Sequence, residues 1–82
     1  MATILIVDDH ADNRELIGTL VRYAGHVPLE AVNGALALEL VHAMNPDLVI
    51  CDLLMPVMDG YEFVRRLRAH KSTADARVIF YT

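Results

Sequence analysis

Acidic side chains stand at the ends of two predicted strands, where they could hold a cation or react with a phosphoryl group. Asp8 and Asp9 follow the apolar run Thr3–Val7, and Asp52 follows the apolar run Leu48–Cys51. A carboxylate at the end of a buried strand is costly to place unless something neutralises or uses it. Carboxylates that lie close together also repel one another, which raises at least one pKa unless a cation is present.

The elements that position these carboxylates alternate regularly along the chain. β-branched and apolar runs predict strands at Thr3–Val7, Val27–Ala31, Leu48–Cys51 and Arg77–Tyr81. Helical spacing between them predicts helices over Asp12–Ala24, over Asn33–Ala43, and from Tyr61 to near His70. This alternation predicts an α/β fold with a parallel sheet, right-handed crossovers and helices on both faces. The proline in the second run favours an edge position for that strand.

Helix starts are predicted from residues that cap backbone amides. Asp12 with Glu15, and Asp59 with Glu62, fit capping pairs, and Asn33 suits an N-cap. The second helix is expected to bury one face, made of Leu36, Leu40, Val41 and Met44.

In a parallel sheet the carboxyl ends of the strands share one edge, where ligands bind in folds of this kind. Asp8, Asp9, Asp52 and Thr82 each end a strand on that edge. Their oxygen ligands suit a hard divalent ion, most naturally Mg²⁺. His10 follows the acidic pair and is expected to be a solvated loop residue.

Three interpretations of the acidic edge remain open at this point. A carboxylate beside Mg²⁺ can attack a phosphoryl group and form an acyl phosphate. The cluster could instead hold a metal ion for hydrolysis, as in nucleases and phosphatases. The carboxylates could also be no more than solvated strand ends.

Composition narrows the class of protein. A net charge of −4 and a pI near 5.4 argue against a nucleic-acid-binding surface. Cys51 is the only cysteine and lies in an apolar run, so we expect a small buried hydrophobe in a reducing compartment. No apolar run approaches the ~20 residues of a membrane span, and no leader is evident, so a cytoplasmic location is expected.

The motifs ILIVDDH, CDLLMPVMDGYE and VIFYT, in this order with helices between them, closely resemble the receiver domain of response regulators in two-component signalling. The resemblance covers the whole chain. It implies a flavodoxin-like, doubly wound parallel sheet with strand order 2-1-3-4.

The resemblance also implies a role for each acidic residue. Asp52 matches the phospho-accepting aspartate, and Asp8 and Asp9 match the acidic pair that holds Mg²⁺. The backbone carbonyl of Leu54 would complete the protein ligands of the ion, together with Asp52. Thr82 matches the hydroxyl residue that hydrogen-bonds the phosphoryl group during switching.

The implied partner is a sensor histidine kinase or a phosphotransfer protein, and a small acyl phosphate could replace it. Such a module catalyses only its own phosphorylation and dephosphorylation, so it is a signalling protein rather than a metabolic enzyme. Binding to nucleic acid or membrane is not expected of it.

The family continues beyond the fourth strand with a helix, a strand ending in a lysine, and another helix. Residues 1–82 are therefore expected to be a partial receiver domain, and Lys71, in a loop, does not match that lysine. The run Arg77–Thr82 would then be a bare apolar edge, which favours homodimers. The alternative function is accordingly a fragment that is not phosphorylated and acts only in association.

Overall fold

The computed structural model describes residues 1–81, and Thr82 lies outside the described residues. The elements are β1 (Thr3–Val7), α1 (Ala11–Tyr23), β2 (Val27–Ala31), α2 (Gly34–Met44), β3 (Leu48–Asp52), α3 (Gly60–Ala69) and β4 (Val78–Tyr81). Among residues 1–81, no helix combines the length and apolar character that crossing a bilayer requires.

The strands form one parallel sheet in the order β2-β1-β3-β4, which confirms the predicted topology. β2 is an edge strand, so the absence of an amide proton on Pro28 interrupts no hydrogen bonds between the inner strands. The inner strands β1 and β3 end at the same level, because Val7 pairs with Cys51. The residues that follow these two strands therefore meet at one edge.

The two faces of the sheet carry different helices, because side chains alternate along each strand. Val7 and Cys51 lie on the face covered by α2 and α3, in a core with Phe63 and Leu67. Ile4 and Ile6 lie on the other face, against Val21 of α1. Asp8 and Asp52 follow Val7 and Cys51 by one residue, which places them on the α1 side.

Two of the predicted helix caps are confirmed and one is wrong. Asn33 accepts a hydrogen bond from the amide of Leu36 at 2.9 Å, and Asp59 accepts one from Glu62 at 2.9 Å. α1 instead begins one residue before Asp12, and its N-cap residue makes no side-chain cap. Asp12 consequently lies in the first turn, where its charge favours the helix dipole but caps no amide.

The predicted buried face of α2 is only partly correct. Val41 is buried as expected, but Leu36 and Met44 are exposed, and Ala37 packs inward instead. The helix carries leucines on several sides, so more than one face fits the apolar spacing. Close packing against the sheet selects the face with the smaller residues.

A glycine at the start of α3 allows the helix to approach the end of β3. A Cβ atom at Gly60 would lie 2.9 Å from a ring carbon of Phe80 and 3.0 Å from the backbone oxygen of Asp52. Contacts that short force the backbone to shift, so we expect Gly60→Ala to lower the free energy of unfolding by about 1–3 kcal/mol. Urea denaturation measures the change.

Gly18 in α1 provides the matched control. A Cβ atom there would meet Ile6 at an ordinary 3.8 Å. Gly18→Ala should therefore raise the free energy of unfolding by roughly 0.5–1 kcal/mol, the helix-propensity difference. A Gly60→Ala variant as stable as the unmodified chain would contradict the packing argument.

Candidate functional site

The carboxyl edge of the sheet brings Asp8, Asp9 and Asp52 together with His10. Each offers a possible metal-ligand atom, and these atoms all lie within 4.8 Å of one another. The sequence predicts that the three aspartates meet at this edge, whereas it predicts only a solvated loop position for His10. Its side chain is 64% exposed, but its ring nitrogen faces the carboxylates.

Asp8 is fully buried, and each of its carboxylate oxygens accepts hydrogen bonds from two donors. Oδ1 accepts the backbone amide of His10 at 2.8 Å and lies 3.1 Å from the ring Nδ1 of His10. Oδ2 accepts the amide of Asn13 at 3.2 Å and the hydroxyl of Tyr81. Burial alone would raise the pKa of Asp8, but these hydrogen bonds together lower it. The carboxylate is thereby held in its ionised form.

The backbone of Asp8 is fixed from two further directions. Its carbonyl accepts Nη1 of Arg14 at 2.8 Å, and Arg14 also binds Glu30 at 3.1 Å. Its amide donates to the carbonyl of Ala31 at 3.1 Å. These contacts join β1, α1 and β2 at the edge, so the position of the carboxylate is set by three elements.

Asp9 contains the one buried side-chain polar atom that has no hydrogen-bond partner among the described residues. Its Oδ1 is buried and accepts no hydrogen bond from residues 1–81. The Nδ1 atom of His10 lies 3.1 Å away, but it also faces Asp8. A buried anionic oxygen without a donor is costly. The residues present therefore fit a cation, which would satisfy this oxygen.

Asp52 has one restrained and one available oxygen. The side chain is only 7% exposed, and its Oδ1 accepts the amide of Leu54 at 3.1 Å. Among residues 1–81, no group donates to Oδ2. The amide thus orients the carboxylate and leaves Oδ2 with its lone pairs free for a reaction or a metal ion.

Cys51, next to Asp52, takes no part in this chemistry. It is fully buried on the opposite face of the sheet, as the sequence predicts. Burial raises the pKa of the thiol to about 12, with a further contribution from the charges of Asp52 and Asp8. The thiol therefore stays protonated and unreactive in the folded protein.

Tyr81, Asn13 and His10 all contact Asp8, and none was selected from the sequence as a site residue. The position of Tyr81 follows from the register of the sheet, which the sequence alone does not fix. Tyr81 pairs with Asp52 across β3 and β4, and in-register residues of parallel strands point to the same face. The hydroxyl of Tyr81 therefore lies on the α1 side of the sheet, beside the carboxylates. Burial raises the pKa of Tyr81, and its hydrogen bond to Asp8 raises it further, so it remains a donor.

Beside the carboxylates an open cleft of about 490 Å³ runs along α1. Asp52, His10 and Tyr81 form its polar part, and Leu16 and Ile17 form an apolar wall. Asp52 is thus reachable from the α1 side, next to apolar surface.

Comparison with known proteins identifies this arrangement. The family model of the response regulator receiver domain matches residues 4–82. The chain is 40% identical over 80 residues to the phosphate regulon transcriptional regulatory protein PhoB of Pseudomonas aeruginosa, covering 98% of this chain and 35% of that protein. It is 42% identical over 71 residues to the sensor protein EvgS of Escherichia coli, covering 87% of this chain and 6% of EvgS. The chain thus spans about a third or less of these relatives.

Solved structures of response regulators have the same fold as this chain. The N-terminal domain of a response regulator receiver protein from Methanoculleus marisnigri superimposes with a TM-score of 0.97 at 35% identity, over 100% of this chain and 67% of that one. The response regulator TrrA of Thermotoga maritima, in complex with Mg²⁺-BeF, gives 0.89 at 38% identity over 98% and 68%. The matched motifs, the sheet order and the acidic edge agree with one another, and the chain belongs to the response regulator receiver domain family.

Proposed function

We propose that this chain is the phospho-accepting receiver module of a two-component phosphorelay, with Asp52 as the acceptor. Receiver domains are signalling modules that histidine kinases or phosphotransfer proteins phosphorylate, rather than metabolic enzymes. The observation that carries the proposal is the state of Asp52, which has one oxygen held by the Leu54 amide and the other free beside the acidic pair.

In the proposed reaction, Oδ2 of Asp52 attacks the phosphorus of a phosphohistidine on the partner. The new oxygen–phosphorus bond forms as the nitrogen–phosphorus bond breaks, and the partner's imidazole leaves and takes up a proton. The Leu54 amide keeps the carboxylate in one orientation during the approach. The chain catalyses only this transfer to itself and the later hydrolysis of the acyl phosphate.

The acidic cluster is proposed to hold Mg²⁺ through Asp9, Asp8, Asp52 and the backbone carbonyl of Leu54. When bound, the ion offsets negative charge on the transferring phosphoryl oxygens. Asp9 has the oxygen most in need of a cation, since Oδ1 has no donor among residues 1–81. Asp8 accepts hydrogen bonds on both oxygens, and the ion would replace the contact between its Oδ1 and the ring of His10.

The readout is proposed to use Thr82, which would hydrogen-bond the phosphoryl group and bias the surrounding surface. Thr82 lies outside the described residues, but its neighbour Tyr81 ends β4 beside the site.

The partner kinase or phosphotransfer protein is proposed to dock over α1, in the cytoplasm. Leu16 and Leu20 are 61% and 60% exposed, and Leu16 borders the cleft that leads to Asp52. Exposed apolar surface beside a reactive group is a typical protein contact. No nucleic-acid contact is proposed, because Arg65 and Arg66 on α3 both pair with Glu62.

A second candidate function is association through the edge of the sheet. Within residues 1–81, β4 is hydrogen-bonded to β3 on one side and to no strand on the other. Its residue Ile79 is exposed. An unpaired apolar edge can pair with a second copy of the chain. A monomer in light scattering at high concentration would count against this candidate.

The acceptor role predicts a covalent product at Asp52. Incubation with a small acyl phosphate and Mg²⁺ should raise the intact mass by one phosphoryl group, and Asp52→Asn should abolish the gain because an amide cannot attack. Asp75→Asn, an exposed carboxylate in the loop after α3, is the matched control and should label normally. Labelling of Asp52→Asn to the same extent would refute the assignment.

The hydrogen bonds to Asp8 predict a pH-dependent stability. Because folding lowers the pKa of Asp8, its contribution is present above the unfolded value of about 3.9 and is lost as the pH falls through the folded value. Tyr81→Phe removes one donor, so it should lower the free energy of unfolding at neutral pH by about 1–3 kcal/mol. The deficit should shrink on acidification, once Asp8 is protonated in both variants.

Urea denaturation at a series of pH values in metal-free buffer measures this effect. Tyr23→Phe is the control, because that side chain is almost fully exposed and lies away from the site. A deficit of equal size in acid and at neutral pH would show that Tyr81 contributes packing rather than a hydrogen bond to an ionised carboxylate.

A further inference from the structure

The imidazole of His10 occupies an unexpected position at the start of α1. His10 is the N-cap residue, where Ser, Asp or Asn would bond the first helical amides, yet it makes no side-chain cap. Its ring instead turns toward the acidic pair, with Nδ1 at 3.1 Å from Oδ1 of Asp8 and at 3.1 Å from Oδ1 of Asp9. One nitrogen atom thus faces two carboxylate oxygens at equal distance.

A hydrogen bond alone leaves this arrangement incomplete. Nδ1 carries at most one proton, and the contact with Asp8 meets hydrogen-bond geometry. Oδ1 of Asp9 then remains buried without a donor among residues 1–81. A cation placed between the three atoms would satisfy both oxygens and accept the lone pair of a neutral Nδ1.

The spacing of the three atoms suits such a cation. In an octahedral site with ligands about 2.1 Å from the ion, adjacent ligand atoms lie about 3.0 Å apart. The two measured nitrogen–oxygen distances, 3.1 Å each, match this value. One candidate ligand atom from each of His10, Asp8, Asp9 and Asp52 also lies within 4.8 Å of the others, so the four groups converge on one small volume.

We propose that His10 is a nitrogen ligand of the divalent ion at this edge, and that it shifts the preference of the site from Mg²⁺ toward Mn²⁺. Oxygen-only sites suit Mg²⁺, whereas an imidazole ligand suits first-row transition metals, which bind nitrogen more strongly. Mn²⁺ accepts both the carboxylates and the octahedral geometry. The inference rests on the proposed function only in that the acidic cluster holds a divalent ion.

The direct test is spectroscopic and independent of phosphorylation. Mn²⁺ is titrated into the metal-stripped full chain, and pulsed electron paramagnetic resonance of the bound ion reports coupling to ¹⁴N when a nitrogen is a ligand. The proposal expects this coupling in the unmodified chain and its loss in His10→Asn, a substitution that suits an N-cap. Bound Mn²⁺ without ¹⁴N coupling would overturn the role of His10 and leave the acidic metal site standing.

His42→Gln is the matched control for adventitious histidine binding. His42 and His70 are exposed, and their rings lie 5.5 Å apart, so they are a second place where an ion could bind imidazole. His42→Gln should keep the ¹⁴N coupling. If the coupling disappears in His42→Gln and persists in His10→Asn, the proposal is wrong.

The affinities for Mn²⁺ and Mg²⁺ distinguish a metal-ligand role of His10 from a role as a counter-ion of the carboxylates. Mn²⁺ and Mg²⁺ dissociation constants are measured by the loss of the free Mn²⁺ signal, with Mg²⁺ as competitor. His10→Asn should weaken Mn²⁺ binding roughly tenfold and Mg²⁺ binding much less. If His10 only neutralises the carboxylates, the variant binds both ions more tightly, and the proposal fails. If the unmodified chain binds neither ion, the metal site of the proposed function fails as well.

Discussion

The structure depends on keeping three carboxylates together at one edge of a small sheet. Asp8 is fully buried and Asp52 nearly so, and the ligand atoms of both lie within 4.8 Å of Asp9. Like charges at this distance in a partly dry site favour protonation. The chain opposes that tendency at Asp8 with four hydrogen bonds, and leaves Asp9 with an unsatisfied oxygen. The carboxylate of Asp8 is thus stabilised by its hydrogen bonds, whereas that of Asp9 still lacks a partner for one oxygen. A cation binds well to such a cluster.

The alternation of side chains along the strands explains which groups can reach this cluster. Residues at alternate positions of β1 and β3 pack on the α1 side, namely Ile4, Ile6, Leu48 and Ile50, and the exposed Ile79 holds the matching position of β4. Asp8, Asp52 and Tyr81 continue these series by two residues each. The buried apolar side chains hold the strands in the core. The next residue on the same face then carries the carboxylate or hydroxyl of the site. The same alternation places Cys51 in the opposite core and keeps its thiol on the other face from the carboxylates.

The sequence was sufficient for the strands, their order and the acidic residues, because these depend on local runs and on the rules of parallel sheets. It was insufficient where a contact joins distant segments. Tyr81 and Asp8 are 73 residues apart, and their hydrogen bond follows only once the register of β3 and β4 is known. The face of α2 was missed for another reason, since apolar residues on several sides leave its rotation undetermined. The assignments of Asp52, Leu54 and Thr82 to phosphoryl chemistry stay predictions.

α1 connects the acidic edge of the sheet to an exposed apolar surface. Its N-cap residue His10 and its first-turn residue Asn13 contact the Asp8 carboxylate, and Arg14 fixes the backbone that carries it. Its middle exposes Leu16 and Leu20 beside the cleft. A partner that binds this helix would therefore contact the same element that positions the buried carboxylate. Because Asn13 and Arg14 both bond Asp8, a displacement of α1 would change the hydrogen bonds that hold this carboxylate in place.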